Sequence, residues 1–208
     1  LDPDLDTYYT MDITLLALPQ TMNRVPGMIE SFRTAVADGA LSLDEQMKMA
    51  ADAALLQVAD IDRISADTQT AMNENDNMFH PPVDSFQKAM STSSADYVKA
   101  ATRLADLTKA LSLQTTPTTT VDDYTAVAVA AQQQALKFWK AAVSENSNLM
   151  QLRKNYYSEQ RNMSLLMSAL SLLAASLVAF FMARSMIAPL STLSLKLAPG
   201  ATLLSGTI

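Results

Sequence analysis

The chain has 208 residues, with 21 acidic against 15 basic side chains, a net charge of −6 and no Cys. That balance excludes nucleic-acid binding, which needs clustered Lys and Arg, and the missing Cys excludes disulfides and thiolate metal sites. Only four Gly stand against 13 Met, and Ala, Leu and Gln are abundant, so the composition predicts an all-α chain of one or two domains.

The chain opens on Leu1, and no basic stretch leads into a short apolar core there. Residue 1 is therefore not expected to be the native beginning. Asp2-Pro3-Asp4-Leu5-Asp6 reads as a helix start, because Asp caps, Pro fits the first turn and acids favour the positive end of the helix dipole. This helix is expected from about Asp4 to Pro19, with a kink there. A turn or second kink is expected at Pro26-Gly27, then more helix to about Asp38, ended by Gly39.

Ser42 and Glu45 have the spacing of a capping box. Behind them Leu43, Met47, Ala50, Ala54, Val58, Ile61, Ile64, Thr68 and Met72 recur in steps of three and four, which predicts one inward stripe. Asp52, Asp60, Asp62, Arg63 and Asp67 are expected to face away from it. Asn73 to Asn77 and Pro81-Pro82 break the pattern. A third helix is expected over Val83 to Leu113, with Val83, Phe86, Met90, Tyr97, Ala101, Leu104, Leu107 and Leu111 inward.

Gln114 to Thr120 is Thr-rich, contains Pro117 and reads as a loop. The last helix is expected from Thr120 or Val121, with Asp122 and Asp123 in its first turn. Tyr124, Ala128, Ala131, Ala135, Phe138, Ala142, Leu149, Leu152 and Tyr156 follow a near-heptad spacing. No Pro or Gly occurs from Val121 to Ala188, which predicts one continuous helix. Long amphipathic helices with short connections predict an elongated antiparallel bundle, and dimerisation would extend its seam.

Met163 to Ala183 carries no charge, and about 20 apolar residues suffice to cross a membrane. Tyr156 and Tyr157 precede it at interface spacing, and Arg161 and Arg184 bracket it. All acidic residues lie at or before Glu159, so the charged and apolar parts are different kinds of structure. Ser164, Ser168, Ser171, Ala175 and Ala179 place small residues near one face, a surface another helix can approach closely. Counting Arg153, Lys154 and Arg161 against Arg184 and Lys196 puts the N-terminal side inside.

Catalytic chemistry is not expected. His80 is the only histidine, set beside Pro81-Pro82 in a loop, so no His-based metal cluster forms. No phosphate-binding glycine loop and no Ser or Cys triad can be assembled. Asp60/Asp62 and Asp122/Asp123 read as a solvated face and a helix start. Trp139 reads as core or subunit interface, and the Met residues as core packing. Tyr8 and Tyr9 are weak candidates for a binding surface, so the ligand-binding site stays unknown. No catalytic, cofactor-binding or metal site is expected, and no cofactor.

Three features together resemble a known family. LDPDLDTYYTMD (Leu1 to Asp12), followed by Leu18-Pro19, is similar to a motif in sensor regions of bacterial methyl-accepting chemotaxis proteins and hybrid sensor histidine kinases. A long helix ending in a membrane span is the second feature. Arg184-Ser-Met-Ile-Ala-Pro189-Leu190-Ser-Thr-Leu193 is the third, and it resembles the opening of a HAMP linker. The resemblance implies an extracytoplasmic helical-bundle sensor region at 1–160, a transmembrane helix at 161–184 and the start of an incomplete cytoplasmic linker at 185–208. Gly200 comes only 11 residues after Pro189, sooner than a HAMP first helix carries its Gly. Against the charge count, the resemblance places the bundle outside a bacterial inner membrane. It implies a homodimer, a small-molecule ligand or periplasmic protein of unknown identity, and an output module beyond this chain. The alternative is a single-span structural or adaptor subunit of a membrane complex.

Overall fold

The computed structural model describes residues 5–76 and 83–205, with side chains described for 5–75 and 83–186. Every element among the described residues is helical: α1 (Leu5–Asp12), π1 (Ile13–Ala17), α2 (Leu18–Ala35), α3 (Leu43–Leu55), π2 (Leu56–Asp62), α4 (Arg63–Asp76), α5 (Asp84–Ser112) and α6 (Val121–Ser205). The chain divides into two compact units, Leu1–Leu152 and Arg153–Ile208. His80, Pro81-Pro82 and the cap expected at Asp2-Pro3-Asp4 lie outside the described residues.

In the first unit the opening segment is less broken than its prolines suggest. The backbone stays right-handed helical at Asp12, Ala17 and Leu18, so α1, π1 and α2 follow one another without a turn. Pro19 stands in the first turn of α2, directly behind the wide π turn, where the hydrogen-bond ladder is already loosened. Pro26 lies inside α2, and Pro26-Gly27 makes no turn. The packing of Val25, Met28 and Phe32 on the core outweighs the bond that Pro removes. The helix ends at Ala35, and Gly39 then takes a φ of +76°, a conformation that costs Gly nothing.

The capping box forms as its spacing requires. Ser42 Oγ accepts from the Glu45 N–H at 3.3 Å, and the Glu45 carboxylate accepts from the Ser42 N–H at 2.8 Å. Behind the box the expected stripe fails over its first half. Leu43, Met47 and Val58 are exposed, as are Ala50 and Ala54. Met49, Ala53, Leu56 and Asp60 are buried instead. The cause is π2, whose wider turns shift the phase of the helix, so a uniform 3.6-residue period cannot place both halves. From Ile61 onward the stripe of Ile64, Thr68 and Met72 holds.

Helix α5 buries Phe86, Met90, Tyr97, Ala101, Leu104 and Leu111, as expected, with Val83 and Leu107 partly buried against the same core. Thr120 caps α6 by accepting from the Asp123 N–H at 3.1 Å. Tyr124, Ala128, Ala131, Ala135, Phe138, Ala142 and Leu149 form its buried stripe, whereas Leu152 and Tyr156 are exposed. Phe32 and Tyr124 stack with centroids 4.3 Å apart at one end of the core. Bonded pairs rise on one helix as they fall on the next: Arg24–Asp60 and Asp12–Arg63, Gln46–Gln114 and Met72–Gln87, Asp96–Lys137 and Ser85–Glu145.

The second unit is the remainder of α6, and its described side chains from Arg161 to Met186 are all exposed. The helix satisfies its own polar groups there. Ser168, Ser171 and Ser176 each donate to the carbonyl four residues back, at 2.8, 3.0 and 2.8 Å. The backbone stays helical to Ser205.

Candidate functional site

The most informative feature of the first unit is a polar layer set around the two π segments. A π turn breaks the regular i→i−4 bonding, frees backbone groups and often marks a functional position. In π1 the freed group is the Thr14 carbonyl, which accepts from Trp139 Nε1 of α6 at 2.8 Å. Trp139 is thus a partly buried core residue, as expected, with its polar handle used inside the fold. Trp139→Phe keeps most of the ring and leaves the Thr14 carbonyl without that donor. It is expected to cost about 1–3 kcal/mol in denaturant unfolding, and an unchanged midpoint would show that the bond contributes nothing.

In π2, Asp60 is fully buried and bonded to Arg24 of α2, Nε to Oδ2, at 2.7 Å. Burial pushes the Asp60 carboxyl above its ordinary range, and the Arg24 guanidinium opposes that rise. The expectation that Asp60 sits on a solvated face is therefore corrected. The π geometry of Leu56–Asp62 turns it inward, where it meets Arg24, while Asp62 stays at the surface and accepts from Gln57 at 2.8 Å. Tyr97 of α5 lies 3.4 Å from the Thr21 hydroxyl, and its burial raises the phenol well above its ordinary value.

A second pair lies at the outer ends of the π segments. Asp12 is the last residue of α1, and Arg63 is the first of α4. Arg63 Nη2 donates to both Asp12 oxygens at 2.7 and 2.8 Å, and Nε donates at 3.1 Å, a bidentate fork. Asp67, one turn further along α4, stands 3.9 Å from Arg63 Nε. Arg63 and Asp67 were also expected to point away from the core; both are partly buried between helices. A third polar contact closes the far end of α1. Asp6 is fully buried and accepts from Asn75 Nδ2 at 3.1 Å, and Asn75 Oδ1 accepts from the Val83 N–H at 3.1 Å.

The structure does not join Tyr8 and Tyr9 to this layer. Tyr8 is exposed, Tyr9 packs on the core, and the two rings meet edge to face at 5.4 Å. Asp123 keeps its helix-start role, bonded to Thr120. No group of metal-ligating side chains occurs among the described residues.

The layer is a set of ties between helices. It ties α1 and α2 to π2 and α4 by charge, and π1 to α6 by a single donor. Among the described residues the protein is all-helical, with one helix long and apolar enough to cross a membrane, none of whose apolar window is buried. No protein-family model, curated protein or solved structure matches the chain.

Proposed function

We propose that the chain is the sensor and membrane-spanning part of a bacterial transmembrane signal receptor. In this reading the first unit is an elongated antiparallel four-helix bundle on the extracytoplasmic side, present as a homodimer. One observation carries the proposal. Helix α6 supplies a full core stripe to the bundle, from Tyr124 to Leu149, and also the uncharged segment from Met163 to Ala183. A rearrangement of the bundle core therefore acts on the same helix that enters the membrane. The likeness of Leu1 to Asp12 and of Arg184 to Leu193 to receptor motifs supports the same reading. Signalling would be a shift in population between two packings of α6, driven by a partner that prefers one of them.

The test is a chimera. Residues 1–186 are joined in register to the cytoplasmic half of a chemoreceptor, and kinase control is read in bacteria. Substitutions in the polar layer, Arg24→Ala and Trp139→Phe, are expected to move kinase output severalfold in chimeras that reach the membrane at wild-type levels. An output that ignores every bundle substitution would overturn the receptor reading and favour the structural subunit.

A further inference from the structure

Asp12, Arg63 and Asp67 hold two carboxylates and one cation in a partly buried space between α1 and α4, with side-chain exposures of 20%, 38% and 16%. The Arg63 fork is taken up by Asp12. Asp67 is left 3.9 Å from Arg63 Nε, beyond hydrogen-bonding distance, and its Oδ2 is buried with no hydrogen-bond partner. Asp12 Oδ2 and Asp67 Oδ2 lie 3.1 and 3.9 Å from the same Arg63 Nε, so two acceptors crowd around one donor. Fully ionised, the cluster sets two negative charges against one positive in a partly buried space, an arrangement that favours sharing a proton.

We infer that this cluster is a proton-binding joint: Asp67 takes a proton from solvent and donates it in a hydrogen bond to Asp12, tightening α1 on α4, and releases it when the medium becomes less acidic. The neighbouring elements leave the proton to this pair. On α1, Asp6 is bonded to Asn75. Segment π1 carries no titratable residue. On π2, Asp60 is paired with Arg24 and Asp62 with Gln57. From α5, Tyr97 meets Thr21, and Asp96 is paired with Lys137 of α6.

Burial first, and the Asp12 carboxylate second, push Asp67 up to about 6 from 3.8, with Arg63 acting the other way. That rise is roughly a hundredfold in proton affinity. The fold therefore holds this proton more tightly than the unfolded chain does. The resulting stability is complete below about 3.9 and is lost as pH rises through about 6. Both π segments end at this cluster, so the charge change falls where helices α1 and α4 leave regular geometry.

The inference does not rest on the receptor reading, because it is measured on the chain alone. Carbon NMR of the Asp67 carboxyl in the full chain, held in detergent micelles, is expected to titrate within about one unit of 6. A midpoint at the ordinary carboxylate value would overturn the proposal without any substitution. Hydrogen exchange, corrected for its intrinsic pH dependence, is expected to show α1 amides protected about tenfold better at about pH 5 than at about pH 7.5. Asp67→Asn is expected to abolish that difference. A difference that survives in Asp67→Asn would place the titration at another carboxylate and overturn the assignment.

Discussion

Leu173→Arg combined with Leu177→Arg is expected to move the chain out of the alkali-resistant membrane fraction. Each charge near the middle of a span costs about 2.5–3.5 kcal/mol on the insertion scale, so the pair costs about 5–7 kcal/mol. The segment has little with which to oppose that cost. Met163 to Ala183 holds no acid, and the two new arginines, one turn apart, repel each other. In the folded chain Leu173 and Leu177 are 61% and 56% exposed, so neither arginine displaces a packed core. A loss of membrane retention would therefore report on the lipid environment and not on a collapsed fold. Carbonate extraction followed by sedimentation reads the result. Wild-type chain found in the supernatant, or a double variant that stays in the pellet, would refute the spanning role.

The contrast between that segment and the bundle shows what the sequence could make legible. The apolar run needs only length and absence of charge, and both are local properties that can be read from twenty letters. The capping box at Ser42 and Glu45 and the stripe of α6 from Tyr124 to Leu149 were legible for the same reason, since each depends on regular helical spacing. The polar layer was not. Periodicity assumes a constant 3.6-residue turn, and π1 and π2 break that assumption at Ile13–Ala17 and Leu56–Asp62. The result was a phase error from Leu43 to Val58, and it sent Asp60 to the wrong side of its helix. A signal was present from α1 through π1 to α2: Thr7, Thr10, Thr14 and Thr21 are all buried at helical spacing. Thr10, Thr14 and Thr21 donate to backbone carbonyls one turn back, which lets a polar residue stand on an inward face. An apolar-only template passes over that pattern. Pro19 and Pro26 misled for a related reason. A proline weakens a helix locally, but burial on either side decides whether the helix continues.

The Arg24–Asp60 pair gives the sharpest test of what the polar layer contributes. Arg24→Met is expected to destabilise the bundle by about 3–5 kcal/mol, because it leaves Asp60 ionised and fully buried with its main cation gone. In a bundle of this size that loss lowers the melting temperature by about 6–20 °C. Asp60 can escape part of the cost by taking a proton, since burial already raises its carboxyl. Arg24→Met should accordingly recover stability as pH falls, whereas the wild type gains less from Asp60 because Arg24 opposes protonation there. The double substitution Arg24→Met with Asp60→Leu removes both charges and the desolvation they carry. It is expected to be much closer to wild type than Arg24→Met alone, leaving a large coupling energy in the double-mutant cycle. If the double variant is instead as unstable as the sum of the singles, the pair is not a coupled unit and the layer is packing alone. If the double variant is stable but its chimera no longer moves kinase output, the charge pair exists to set the packing of helices rather than to hold the bundle together. A buried ion pair seldom adds net stability over an apolar substitute, so its place beside the π segments, where two helices change their pitch, is better explained by control of geometry than by strength.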